Sequence, residues 1–179
     1  LNIKLIQSSC PEDVCQKSDL IITATPSVEP LIKSEWIRKG MHITAMGSDA
    51  EHKNELDPII IQKCDLYIPD KQSQTTVLGE LHHSIKAKLV SSEKKFTELG
   101  SIISNDNQGR LSQDAITVCD LTGTGVQDTA IARYAFEIAM KKNFGLQLSD
   151  MKSTKRNGWD GNNLKYLNTL GWEQIPNGL

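Results

Sequence analysis

No excess of positive charge, no long apolar run and no closely paired cysteines occur in these 179 residues. Twenty lysines and arginines stand against 22 acids, a net charge of −2. There is no field to hold a phosphate backbone, so a nucleic-acid partner is not expected. The longest apolar stretch, Pro58-Ile59-Ile60-Ile61, falls far short of the ~20 residues that span a bilayer. The opening residues, Leu1-Asn2-Ile3-Lys4-Leu5-Ile6-Gln7, alternate like a strand and lack a signal peptide's apolar block. Membrane and secretion are not expected, and the cytoplasm is. The four cysteines, Cys10, Cys15, Cys64 and Cys119, form no C-x-x-C pair and read as reduced, mostly buried thiols rather than a disulfide frame or metal site. Aromatics are only 5% of the chain, and Trp36, Trp159 and Trp172 are scattered, which argues against a base-stacking platform.

What remains is an ordinary globular composition in which apolar blocks alternate with amphipathic ones. Strands are predicted over residues 3–6, 19–25, 41–46, 65–68 and 115–120. Helices are predicted over 11–18, 34–39 (ending at Gly40), 55–63, 75–90, 96–104 and 128–142. The last is the clearest, with Ile131, Tyr134, Ala135, Ile138 and Ala139 at helical spacing. Strands alternating with helices imply an α/β fold with a mostly parallel sheet and flanking helices. Residues 151–179 hold two tryptophans and several asparagines without clean periodicity, and read as an extension of unknown role.

Four predicted strands end in short polar loops: Thr25-Pro26-Ser27, Gly47-Ser48-Asp49, Pro69-Asp70-Lys71 and Asp120-Leu121-Thr122-Gly123. In a parallel sheet these ends share one edge, where ligands gather, so Thr25, Asp49, Lys53 and Thr122 are expected near one another. Asp49 is the foremost candidate. A carboxylate beside a cation in a partly dry crevice can take or give a proton, while Lys53 steadies a phosphate or carboxylate. The plainer alternative makes Asp49 a helix N-cap and Lys53 a solvated charge. Gly123-Thr124-Gly125-Val126-Gln127-Asp128 matches only part of a G-x-G-x-x-G loop, because Asp128 stands at the third glycine position. His82 and His83 are adjacent and point about 100° apart on a helix, a poor metal pair. Together with His42 and His52 they read as structural or solvated.

Taken in order, several runs resemble the ornithine cyclodeaminase/mu-crystallin family. They are Ser18-Asp19-Leu20-Ile21-Ile22-Thr23-Ala24-Thr25-Pro26-Ser27, Gly40-Met41-His42-Ile43-Thr44-Ala45-Met46-Gly47-Ser48-Asp49 with Lys53-Asn54-Glu55-Leu56-Asp57, Gln74-Thr75 with Gly79-Glu80, and Asp120-Leu121-Thr122-Gly123-Thr124-Gly125-Val126-Gln127-Asp128. The likeness runs over about residues 8–145, and the last run leans toward the ectoine-utilisation branch. The resemblance implies a Rossmann-like domain incomplete at its N-terminus, the C-terminal half of a member. On this view residues 1–127 are part of a dinucleotide-binding domain, and 128–150 are a helix returning toward a substrate and dimerisation domain. It implies a nicotinamide-dependent enzyme, NAD or NADP, acting as a deaminating lyase or oxidoreductase on a small amino acid, and a homodimer when complete. Asp49 matches the family's proton-handling aspartate and a substrate contact. Thr25, Ala45, Met46, Gly47, Lys53 and Leu121 match cofactor-contacting positions, and Thr122 matches a substrate position. Leu121 stands where cyclodeaminases keep a polar residue. The alternative is a mu-crystallin-like protein that binds cofactor and a small ligand without sustained turnover; only an enzyme needs the Asp49 carboxylate.

Overall fold

A computed structural model of the chain describes residues 4–104 and 108–145. Two compact units, Leu1–Tyr134 and Ala135–Leu179, divide it, and the sheet and the site described below belong to the first. The extension expected over 151–179 lies outside the described residues.

The element order is α1 Pro11–Lys17, β1 Leu20–Thr23, a 3-10 turn at Ser34–Trp36, β2 His42–Ala45, α2 Pro58–Lys63, β3 Leu66–Pro69, α3 Gln72–Thr75, α4 Glu80–Lys86, α5 Leu99–Ile103, β4 Thr117–Asp120 and α6 Gly125–Lys142. All four strands are parallel, in the order β1-β2-β4-β3. Four of the five expected strands are therefore present, in one parallel sheet flanked by helices. Their register sets Ile21, Ile43, Val118 and Tyr67 in one row, and Thr23, Ala45, Asp120 and Pro69 in the next. Side chains two apart share a face, so the acid Asp120 projects to the same side as the apolar core. That core joins Ile21, Ile43 and Val118 to Ile60 and Ile61 of α2, Leu81 of α4, and Met41, Leu56 and Cys15. β4 is buried along its whole length, as a central parallel strand must be.

Several elements differ from expectation. Of the strand expected at 3–6, the described residues 4–6 form none: Leu5 is 90% exposed and Ile6 73%, and no described strand pairs with residues 4–7. Alternation makes a strand only where a neighbour takes its backbone bonds. The helix expected over 34–39 shortens to a 3-10 turn. The one expected over 55–63 starts at Pro58, because Asp57 accepts the Ile59 N–H (3.0 Å) as N-cap and proline suits the first turn. Of the helix expected over 75–90, Thr75 only ends α3, residues 76–79 turn, and α4 starts after Gly79, whose φ is 88°, a left-handed backbone that only glycine adopts freely. A Cβ there would also stand 2.8 Å from Thr122 Cγ2. The helix expected over 96–104 covers only Leu99–Ile103. In α6, which begins at Gly125 rather than 128, Ile131 and Tyr134 are exposed despite their spacing.

Ile43 lies fully buried in the middle of β2. Ile43→Val should cost about 0.5–1.5 kcal/mol of folding stability and Ile43→Ala about 2–5, read by urea unfolding. A flat response to both would move Ile43 out of the core.

Candidate active site

Parallel strands put their carboxyl ends on one edge, and open α/β sheets gather ligands there. Beneath that edge lie three buried carboxylates. Glu55 is fully buried and accepts four hydrogen bonds: Thr23 Oγ1 (2.7 Å), the Thr25 N–H (2.6 Å) and hydroxyl (2.8 Å), and the Gly47 N–H (2.8 Å). It thereby ties the loop after β1 to the loop after β2. Gly47 has no room for a side chain, since a Cβ would land on the Thr25 carbonyl oxygen and the Glu55 carboxylate.

Glu80 accepts the Ser48 hydroxyl and the N–H groups of Glu55 (2.9 Å) and Leu56 (3.0 Å). Burial pushes its carboxyl up to about 7, against the pull of those three donors. Asp120 gathers the Tyr67 hydroxyl (2.6 Å) and the N–H groups of Glu80 (2.9 Å) and Leu81 (3.1 Å) on Oδ2. The last two are the orphan donors that open α4. Gly79 has no side chain with which to cap them, so an acid from β4 does it. Asp120 Oδ1 is buried with no hydrogen-bond partner among the described residues, and burial pushes this carboxyl up to about 7 as well. Burial and the neighbouring Asp120 carboxylate also raise the Tyr67 hydroxyl.

Above this layer sit the residues singled out from sequence. Thr25 and Gly47 meet through Glu55. The Met46 N–H donates to the Thr23 carbonyl (2.9 Å) and the Leu121 N–H to the Ala45 carbonyl (2.8 Å), so residues 25, 45–47 and 121 form one bonded row. Asp49 is exposed and accepts from Lys53 Nζ at 2.5 Å. The Lys53 ammonium holds the Asp49 carboxyl below the usual carboxylate range. Asp49 starts no helix, so the N-cap alternative fails: the next helix begins only at Pro58. Thr122 turns toward β3 instead. Its hydroxyl donates to Asp70 (3.1 Å) and accepts from Gln74 Nε2 (3.3 Å), while Asp70 also takes the Gly123 N–H (3.0 Å). In the glycine-containing turn beyond, the Gln127 side chain accepts the Thr124 N–H (3.0 Å), half of a capping box, and Asp128 lies inside the first turn of α6.

The histidines hold backbone and hydroxyls. His42 bridges Thr117 (2.6 Å) and Thr44 (3.1 Å), and His83 Nε2 reaches the Lys53 carbonyl (2.6 Å). Burial lowers both of their pKa values. Cys15 and Cys119 are buried and Cys64 half-buried, but Cys10 is exposed; all four are free. Sequence reasoning gave no role to Glu55, Glu80, Asp120, Tyr67, Asp70 or Gln74. The one local signal for them was an acid at the end of an apolar strand, Cys119-Asp120, or just before a buried leucine, as in Glu55-Leu56 and Glu80-Leu81.

Comparison with known proteins bears on what this edge is for. Residues 1–143 match the model of the ornithine cyclodeaminase/mu-crystallin family. An uncharacterized cyclodeaminase of Sinorhizobium fredii is 47% identical over 138 residues, which cover 77% of this chain and 42% of that relative. An archaeal alanine dehydrogenase dimer with bound NAD superposes with a TM-score of 0.69 at 33% identity, over 78% of this chain and 43% of that one. A Delta(1)-pyrroline-2-carboxylate reductase of Thermococcus litoralis, in complex with NADH and L-proline, gives 0.71 at 26% identity, over 80% and 44%. The chain thus spans about two fifths of the length of the proteins it matches.

Glu80 and Asp120 make stability depend on pH. Both carboxyls hold their protons to about pH 7 in the folded chain, whereas unfolded acids release them from about pH 4. Between those values the folded state binds more protons, so these groups lose stability as pH rises, and the loss levels off above about 7. His42 and His83 contribute the opposite slope up to their ordinary pKa of about 6.5, so the acids are isolated by comparison with Asp120→Asn. Urea unfolding from pH 5 to 8 should show wild type losing stability relative to that variant. Parallel curves would mean that Asp120 is ionised throughout.

Proposed function

Because the chain belongs to the ornithine cyclodeaminase/mu-crystallin family, we propose that it is part of a nicotinamide-dependent enzyme acting on a small amino acid. Residues 1–127 belong to its dinucleotide-binding domain, and 128–150 lead toward a substrate and dimerisation domain. The observation that carries the reading is the Asp49–Lys53 pair at the carboxyl edge of a parallel sheet, with Asp49 kept ionised and open to solvent.

The residues present suit such a cofactor chemically. The bonded row offers half-exposed Met46 and half-buried Leu121 as apolar surface for a flat ring, the Thr25 hydroxyl as a polar contact, and the Lys53 ammonium for an anionic group. Thr25, Ala45, Met46, Gly47, Lys53 and Leu121 would hold NAD, with NADP the alternative. When bound, the nicotinamide would exchange a hydride with the carbon bearing the substrate amine. Asp49 accepts the proton that the substrate ammonium must lose before that carbon can be oxidised, and returns it in the reverse direction. Lys53 holds Asp49 in the ionised form that can receive a proton, while making it a weaker base. Thr122, fixed by Asp70 and Gln74, orients the substrate.

The relatives' names span cyclodeaminase, dehydrogenase and reductase, and these share the oxidation state change at an amine-bearing carbon. Leu121 favours the oxidoreductase side, since an apolar residue offers nothing to a second amine. The wording of residues 122–128 supports a place beside the ectoine-utilisation branch. A homodimer is supported by the dimeric alanine dehydrogenase. A cytoplasmic site is supported by four free cysteines; among the described residues no helix is long and apolar enough to cross a membrane.

The test is Asp49→Asn in the full-length protein, which keeps size and removes the base. With an amino acid substrate, kcat should fall about 10²–10⁴-fold while the melting temperature moves little, because no core volume is lost. Unchanged turnover would remove Asp49 from the chemistry, whereas a wild-type protein that holds cofactor and amino acid without turning over would be a binding protein.

A further inference from the structure

The three buried carboxylates act on the edge unequally. Glu55 and Asp120 hold strand ends and a helix start, whereas Glu80 reaches the segment that carries Asp49 and Lys53. Its Oε1 takes the Ser48 hydroxyl and the Glu55 N–H, and its Oε2 takes the Leu56 N–H. These contacts flank residues 49–54 on both sides, so one side chain closes the base of the loop. A second tie comes from the same helix: His83, three residues after Glu80 and so on the same face of α4, bonds the Lys53 carbonyl at 2.6 Å. Helix α4 is itself fixed, started by Gly79 and capped by Asp120. The loop that presents Asp49 is therefore clamped to a rigid element at Ser48, at Lys53 and at Glu55–Leu56, while the Asp49 side chain accepts from Lys53 within the loop.

We propose that Glu80 is a positioning residue of the reaction: by clamping both ends of the 49–54 loop, it sets where the Asp49 carboxylate meets the substrate amine. This rests on the role given to Asp49 above. Both oxygens of the clamp must accept. Three donors face its two oxygens, and two of them are backbone N–H groups that cannot turn round. Glutamine would point its NH2 at the Leu56 N–H in one orientation and at the Glu55 N–H in the other, so one contact opens either way. Aspartate is too short to span them.

The experiment compares Asp49→Asn, Glu80→Gln and the double variant in the full-length protein, with melting curves to confirm folding. Glu80→Gln should lower kcat about 10–100-fold, the range for a group displaced by an ångström or less, with KM for the amino acid within about threefold. In the Asp49→Asn background the same change should have little further effect on kcat, because Glu80 acts through Asp49; a merely structural role would multiply the two losses. Should Glu80→Gln not fold, Ser48→Ala removes one contact of the clamp and should show the same pattern at about a tenfold loss in kcat. Independent, multiplicative effects, or wild-type kcat in Glu80→Gln, would overturn the proposal while leaving Asp49 in place. No loss in Asp49→Asn alone would instead overturn the reading on which it rests.

Discussion

A carboxylate taken out of water must be surrounded by donors, and that requirement governs how the loops at the carboxyl edge of this sheet are arranged. Past the last ladder pair, the backbone N–H groups of Thr25 and Gly47 lose their strand partners; Glu55 takes both. The first N–H groups of α4 have no partner inside the helix; Asp120 takes both. The N–H groups of Glu55 and Leu56 go to Glu80. None of the three acids forms an ion pair among the described residues. Backbone and hydroxyl donors do what cations would do elsewhere, and each acid thereby joins segments that the sheet alone leaves apart.

This arrangement serves geometry better than stability. Burial outweighs three donors at both Glu80 and Asp120, since each carboxyl ends well above its ordinary range. The folded chain bears that cost at neutral pH, and the apolar cluster around Ile43, Val118, Leu56, Ile60 and Leu81 offsets it. Buried charged or polar groups are weak evidence for stability. Here their specific effect is to tie the loops after β1 and β2 to the start of α4, which is what a preorganised site needs.

The fold was legible where the signal is local. Residues 19–25, 41–46, 65–68 and 115–120 are apolar, rich in isoleucine and valine, and each closes in a turn, so four strands and their parallel arrangement followed. Residues 3–6 carry the same alternation, yet the described residues 4–6 form no strand, because pairing depends on a neighbour and not on the segment. The single helix expected over 75–90 failed for a related reason: its spacing held over Glu80–Lys86, but the backbone at Gly79 is set by the approach of Thr122 and Asp120, more than 40 residues away. The Asp49–Lys53 pair was visible because it spans four residues. The buried acids had no such signal. Glu80 meets Glu55 across 25 residues, Asp120 meets Glu80 across 40, and Tyr67 meets Asp120 across 53. Sequence showed these acids inside motifs without showing that they touch.

The same chemical group thus appears at this edge in two opposite settings. Glu55, Glu80 and Asp120 are sealed, at 1% exposure or less. Asp49 is 56% exposed and held ionised by a lysine that solvent also reaches. A group that must take a proton from a substrate and pass it on has to exchange with water within each turnover, which a sealed carboxyl cannot do without local opening. Position relative to solvent therefore divides the labour. In the proposed reaction the chemistry falls to Asp49, and Glu80 sets where Asp49 stands. An acid that held its proton to neutral pH at the position of Asp49 would meet the substrate ammonium already protonated, with no site left to receive its proton. Asp49 avoids this because Lys53 lies within the same loop, so the clamp that sets the carboxylate sets its counter-charge with it.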